Sequence, residues 1–321
     1  MLKNKKTVAY LGLIFVIFLW GVSPLITLYF YKFYSPTMRV AFGSLTSGLA
    51  MLLVAGKRIK LFGRRYLKLA IPTGICLGLA DISQKIGLQY TTPTNYAFLE
   101  NLSVVTVPLI LFFLIRKKPA PLTVLAVVLC LASSLVLTGI LTDGGSFGKG
   151  DILCAIAGML YGVNIAITGR YAKDVCVPLY LSLQLLTVSA LGFFSTFLLS
   201  GLGIEPYYFT FRLGTILLLI LFVLVSSTLG WLIRTAAMKE VDPTVVAVMM
   251  PFSSVVTVLV SVVLGTDTLT PSLVVGAALG LFAIILSGLG GCEKKENTTT
   301  DQEKQQERTF ACCKQVDKFK T

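Results

Sequence analysis

Ser103-Val104-Val105-Thr106-Val107 recurs in the second half of the chain as Ser254-Val255-Val256-Thr257-Val258. Working outward, Leu19-Trp20-Gly21-Val22-Ser23-Pro24-Leu25-Ile26-Thr27 resembles Leu160-Tyr161-Gly162-Val163-Asn164-Ile165-Ala166-Ile167-Thr168, and Pro93-Thr94 recurs as Pro243-Thr244. A short apolar run repeats by chance. Three matches in the same order and at nearly the same spacing describe an internal repeat. Each repeat holds five apolar segments, an odd number, so the second copy enters a bilayer from the opposite face. The expected fold is an all-α membrane protein of ten transmembrane helices in two inverted five-helix repeats, residues 8–141 and 149–291.

The composition agrees with a lipid solvent. Of 321 residues 55% are hydrophobic and 13% charged, against about 25% charged in a soluble domain, and mean hydropathy is +0.83. Whole segments of about 20 residues are apolar all round, as spanning helices require. Length and polar, Gly or Pro breaks place them at Val8–Phe30, Thr37–Ala55, Leu69–Tyr90, Thr94–Ile115 and Leu122–Leu141, then Asp151–Arg170, Val177–Leu202, Leu213–Ala237, Thr244–Leu264 and Pro271–Gly290. The first stretch is too long for the apolar region of a cleaved signal and reads as a first span.

The net charge of +13 lies in short clusters between the spans, not on a face interleaved with aromatics, which argues against nucleic acid. One side collects Lys3, Lys5, Lys6, the cluster from Lys57 to Lys68, Arg116-Lys117-Lys118, Arg170, Lys173, Arg234 and Lys239; the other has only Lys32, Arg39, Lys149 and Arg212. The positive-inside rule then puts both termini in the cytoplasm of a cell-membrane protein. The aromatic clusters Tyr29–Tyr34 and Tyr207–Phe211 fall together at the outer interface. The polar tail, 292–321, is expected to be disordered, with Cys312 and Cys313 as free or lipidated thiols.

There is no histidine, which removes His metal sites and His-dependent catalysis. The seven cysteines show no CxxC spacing, and neither a metal nor any other cofactor is implied. No GxxxxGK[ST] signals nucleotide use.

Longer stretches resemble the drug/metabolite transporter superfamily, in particular proteins with two EamA-type repeats. They are the Leu-Trp-Gly opening of the first span, Arg39 at the start of the second, and Gln84-Lys85-Ile86-Gly87-Leu88-Gln89-Tyr90-Thr91-Thr92 followed by Asn95-Tyr96-Ala97-Phe98-Leu99. In the second half they are Gly150-Asp151-Ile152-Leu153 and Asp242-Pro243-Thr244 with Pro251. The resemblance covers about residues 8–291 and implies a transporter without implying a substrate. Glu100 stands where relatives often carry a small or hydroxyl residue, and Arg234 where the repeat has Gln84. Both departures make a pocket more charged than usual.

Ionisable groups inside a span cost about 2.5–3.5 kcal/mol each on insertion scales, so they face a cavity or a partner. Asp81 and Lys85 share one face of the third span. Lys85 and Glu100 are equidistant from the Thr92-Pro93 turn, which predicts a direct Lys85–Glu100 pair with Asp81 one turn deeper and a surplus carboxylate that binds a proton. Either this group pins two helices together, or it lines a substrate and proton cavity with Gln84, Asn95, Asn101, Asn164 and Arg234. Arg234 has its own alternative, a helix-end anchor that snorkels to headgroups; the amides have theirs, interhelical hydrogen bonds. Pro24, Pro108 and Pro251 are expected to kink their helices. Gly74-x-x-x-Gly78 and Gly276-x-x-x-Gly280 permit close helix approach, within the subunit or, for the tenth span, in a homodimer.

The functional expectation is a secondary transporter of small polar or amphipathic metabolites, such as amino acids or related organic solutes, working by alternating access in the lipid bilayer. A receptor or scaffold has no reason for an inverted repeat. A membrane-embedded enzyme would need a nucleophile or metal beside Asp81 and Glu100.

Overall fold

The computed structural model describes residues 2–115, 121–137, 148–171, 175–241, 245–246, 249–250, 252–266, 270–272, 274–283 and 285–286. The helices are α1 (Leu2–Phe30), α2 (Pro36–Ala55), α3 (Arg64–Gly87), α4 (Pro93–Glu100), α5 (Leu102–Ile115), α6 (Pro121–Leu137), α7 (Lys149–Tyr171) and α8 (Val177–Gly201). They continue with α9 (Leu213–Ala237), α10 (Phe252–Val263) and α11 (Val274–Ala283). Among the described residues six helices are long and apolar enough to cross a membrane, and shorter apolar helices accompany them. The only β-type pairing described is one isolated bridge, Tyr34 with Phe209. The chain is a multi-pass, all-α membrane protein.

The inversion is visible in helix direction. α2 and α8 are the second helix of each repeat and pack along their lengths. Gly192 meets Ala41 and Gly48 meets Leu186, and the Ser189 hydroxyl donates to the Ala41 carbonyl at 2.9 Å. Rising numbers on α2 face falling numbers on α8, so these repeat mates run antiparallel. The same exchange joins the first and fourth spans. A Cβ on Gly21 of α1 would lie 2.5 Å from Val256 Cβ of α10, and one on Gly162 of α7 would lie 2.5 Å from Thr106 Cβ of α5. Each repeat therefore inserts its opening helix against the fourth span of the other. Gly21 and Gly162 are repeat mates, and glycine is needed at both because any side chain would separate the helices.

The fourth span is not one helix. Asn101 interrupts it, with i→i+3 bonds from Asn101 N to the Phe98 carbonyl at 3.0 Å and from Val104 N to the Asn101 carbonyl at 2.9 Å. Gly158 of α7 sits against the Leu99 and Glu100 carbonyls at this break. The expected kinks at Pro24 and Pro108 are not where the chain breaks: α1 runs through Pro24 and α5 through Pro108 without interruption. A proline removes one N–H from the ladder without having to end a helix in lipid. Pro251 and the tail lie outside the described residues.

Both glycine pairs are used within the chain. Gly74 and Gly78 of α3 rest on Gln184, Thr187 and Leu191 of α8. Ser133 of α6 donates to the Gly276 carbonyl at 2.7 Å, and Gly280 sits against Phe98 and Ser133. The exposed face of α11, with Val274, Val275 and Phe282, is the one left for lipid or a second copy. Elsewhere bulky apolar side chains point outward, as Leu53 at 82% and Phe197 at 72% exposed illustrate; a bilayer is the solvent that tolerates them.

At one end of the bundle the two aromatic clusters meet. Tyr34 and Phe209 rings lie 4.9 Å apart. Ser35 N donates to the Tyr208 carbonyl and Thr210 N to the Phe33 carbonyl, both at 3.0 Å. The α8–α9 connection also caps α2: Glu205 Oε1 accepts from Thr37 N at 3.2 Å and from the Thr37 hydroxyl at 3.1 Å. A carboxylate at a helix start answers otherwise unsatisfied N–H groups and the positive end of the dipole.

A charged cavity between the repeats

Between the two repeats lies a cavity of about 110 Å³. By that measure a water needs about 10–15 Å³, so a small organic molecule or several waters fit. α3 and the α4 half of the broken span supply Asp81, Gln84, Lys85, Tyr96 and Glu100; α7 supplies Tyr161; α1, α2 and α9 supply Trp20, Arg39, Trp231 and Arg234.

A hydrogen-bonded chain occupies its floor. The Tyr161 hydroxyl donates to Asp81 Oδ1 and lies 2.7 Å from Gln84 Oε1. Gln84 Nε2 donates to Glu100 Oε2 at 2.8 Å. Lys85 Nζ donates to Gln84 Oε1 at 3.0 Å and to the Tyr96 hydroxyl at 2.5 Å, with its charge 5.1 Å from the Tyr96 ring centroid. The expected direct Lys85–Glu100 pair is therefore replaced by a bridge. Gln84, next to Lys85 in sequence, reaches between the two charges and presents a donor to one and an acceptor to the other.

Arg234 is 3% exposed and lies in this cavity, not at the headgroups. Its guanidinium carbon is 4.8 Å from the Trp231 ring centroid and 5.7 Å from that of Trp20. The indoles are themselves 5.2 Å apart. Trp20 is held by its Nε1, which donates to the Ser226 carbonyl at 3.1 Å. Ser226 belongs to a π-helical turn, Val223–Leu229, inside α9; such turns free carbonyls and recur at functional sites. Arg39, 7% exposed, has its guanidinium carbon 5.4 Å from the Phe222 centroid. The Nε of each arginine is buried without a hydrogen-bond partner among the described residues.

These aromatic contacts contribute about 0.5–2 kcal/mol each. Burying an ion without a counter-charge costs several kcal/mol, so the rings position the guanidiniums without compensating their burial. With Arg39 and Arg234 counted, three cationic side chains face two carboxylates. The net −1 expected from Asp81, Lys85 and Glu100 alone becomes an excess of positive charge.

Three of the expected cavity residues are elsewhere. Asn95 Nδ2 donates to Asp151 Oδ1 at 3.4 Å, where Thr91 also donates at 2.5 Å, tying the α3–α4 turn to α7. Asn101 Nδ2 donates to Ser254 Oγ at 3.0 Å, and Ser254 donates to the Ala97 carbonyl at 2.9 Å. Asn164 Nδ2 donates to the Thr73 carbonyl at 3.0 Å. All three are interhelical hydrogen bonds, which amides supply wherever helices pack in lipid. Trp20, Arg39, Tyr96, Tyr161 and Trp231 line the cavity outside that expectation. The repeat carried a signal for two of them: Trp20 and Tyr161 are repeat mates, as are Gln84 and Arg234, and all four line it.

Comparison with known proteins agrees. A transporter of Archaeoglobus fulgidus described as uncharacterized is 26% identical over 295 residues, covering 89% of this chain and 87% of its own length. A crystal structure described only as that of a protein shares the fold, with a TM-score of 0.65 at 19% identity, covering 88% of this chain and 97% of its own. The EamA-like transporter family matches twice, over residues 7–139 and 148–289, and the chain belongs to that family of membrane transporters.

Proposed function

We propose that this protein is a secondary transporter, not an enzyme, that moves small polar or amphipathic metabolites across the cell membrane by alternating access. The observation that carries the reading is the cavity itself, polar, placed between inverted repeats and lined by repeat mates from both. Two halves related by inversion have two equivalent ways of packing, one open to each side, with the substrate at their shared interface. Asp81, Gln84, Lys85, Tyr96, Glu100, Tyr161 and Arg234 would contact the substrate, and Asp81 would carry a coupling proton. The basic loops support an orientation with both termini in the cytoplasm. Amino acids and related organic solutes are the substrate class proposed.

The test is counterflow in proteoliposomes holding the purified full-length chain. Vesicles preloaded with an unlabelled solute should accumulate the same solute in labelled form transiently, without any ATP. Failure of every solute class to exchange, in vesicles where the protein is shown to be inserted and folded, would overturn the reading.

A further inference from the structure

Arg39 and Arg234 lie toward opposite ends of one cavity. α2 and α9 run side by side in the same direction, joined where the Thr228 hydroxyl donates to Ser47 Oγ at 3.0 Å. Arg39 precedes Ser47 on α2 and Arg234 follows Thr228 on α9. At 1.5 Å of rise per residue their backbones are about 20 Å apart along the helix axis, with both side chains facing the space between.

Neither guanidinium forms an ion pair among the described residues, and each has a buried Nε that bonds nothing. The carboxylates that share the cavity are engaged elsewhere, Asp81 by Tyr161 and Glu100 by Gln84. Arg234 is clasped by two indoles that cover a face of the guanidinium. Aromatic faces orient such a group while leaving its in-plane N–H edge to a planar oxyanion, which arginine binds through two parallel bonds.

We propose that the substrate is a small organic anion with one net negative charge, carried on a carboxylate or phosphate group, and that Arg39 and Arg234 are its two anion sites. One binds the acidic group at the α2 end of the path and the other at the far end, so the anion changes arginine as the cavity changes sides. With Asp81 ionised the cavity lining has a single surplus positive charge, which matches one anionic group, and Gln84 and the hydroxyls of Tyr96 and Tyr161 remain for the substrate's polar atoms. This rests on the transporter reading above and narrows its substrate class.

The chain has two tryptophans, and both, Trp20 and Trp231, contact Arg234. Intrinsic fluorescence therefore reports directly on this site without any transport. The purified protein is titrated with lactate, benzoate and dimethyl phosphate, each singly charged, and in parallel with neutral glycerol and benzamide and cationic tetraethylammonium. At least one anion should change the emission saturably, and the neutral and cationic probes should not. Arg234→Gln should weaken that anion at least 10-fold and Arg234→Lys less. Arg39→Gln should weaken its counterflow at least 10-fold. Ligand-free Arg234→Gln should melt no lower than wild type, because a buried uncompensated charge is gone.

Three results would overturn the proposal. One is a fluorescence response and exchange confined to neutral or cationic solutes, which would leave the transporter reading standing. The second is anion binding unchanged in both arginine variants. The third is a marked fall in the ligand-free melting temperature of Arg234→Gln and Arg234→Lys alike, with anion affinity intact, which assigns the arginine to the fold. Absence of all exchange together with saturable, Arg234-dependent anion binding would support the anion site and sink the transporter reading instead.

Discussion

Gln84 hands its carboxamide N–H to Glu100 at 2.8 Å while its oxygen accepts from Lys85 at 3.0 Å. One neutral amide thus separates an ammonium from a carboxylate that elementary depth-matching would have paired directly. Gln84→Ala should strand Glu100, leave Lys85 with Tyr96 alone, and destabilise the protein by about 1–3 kcal/mol, the cost of unsatisfied buried polar groups. Thermal unfolding of Gln84→Ala, Glu100→Ala and the double variant checks this. The double variant should lose clearly less than the sum of the singles, and additive losses would show that the bond contributes nothing.

Asp81 accepts from Tyr161, and among the described residues no cation is bonded to it. If it carries the coupling proton, Asp81→Asn mimics the protonated state at nearly the same volume. Counterflow should persist in this variant, whereas accumulation driven by an imposed pH gradient should disappear. Proteoliposomes assayed with and without the gradient distinguish the cases. Wild-type transport indifferent to the gradient would reduce Asp81 to a structural acceptor.

Gly158 packs its bare Cα face on the carbonyls of Leu99 and Glu100, at the break in the fourth span. Gly158→Ala places a methyl against backbone that has no rotamer to yield. Overpacking of this kind costs about 1–3 kcal/mol. The same change at Gly201, where no described neighbour lies within 4 Å, should be close to neutral. Melting temperatures of the two variants in one detergent make the comparison.

Burial pushes the Glu205 carboxyl above its ordinary value of 4.5, outweighing the Thr37 bonds that pull the other way. A carboxyl raised in the folded state stabilises that state below pH about 4.5, and the contribution is lost as pH rises through the raised value. Glu205→Gln keeps an acceptor for Thr37 and no longer titrates. Melting temperature followed across this range should slope downward with pH in wild type more steeply than in the variant. Parallel slopes would mean that Glu205 does not titrate there.

The orientation follows from basic loops alone, and the two positions that test it, Lys117 and Gly145, lie outside the described residues. A cysteine at Gly145 should react with an impermeant reagent added to intact cells, and one at Lys117 should not. The reverse pattern would invert the arrangement.

Much of the architecture was legible in the chain because it is written in segment length. An apolar run of about 20 residues spans a bilayer wherever it occurs, and five such runs per repeat force inversion by parity. Leu213–Ala237 matches its expected bounds, and Gly21 and Gly162 recur at equivalent positions, although only the structure shows that both serve the cross-packing of the repeats. Which side of each helix faces inward was another matter. In water an amphipathic stripe marks the buried face, but lipid is as apolar as a protein core, so hydropathy does not separate the two. Asn95, Asn101 and Asn164 therefore looked equivalent to Gln84, yet three bind neighbouring helices and one lines the cavity. Arg39 reads as a loop charge, and Arg234 as either a cavity cation or a helix-end anchor, because rank along a helix gives depth and not azimuth. Only the packing of α1, α2 and α9, with two indoles closing on Arg234, turned both arginines inward and reversed the sign of the cavity.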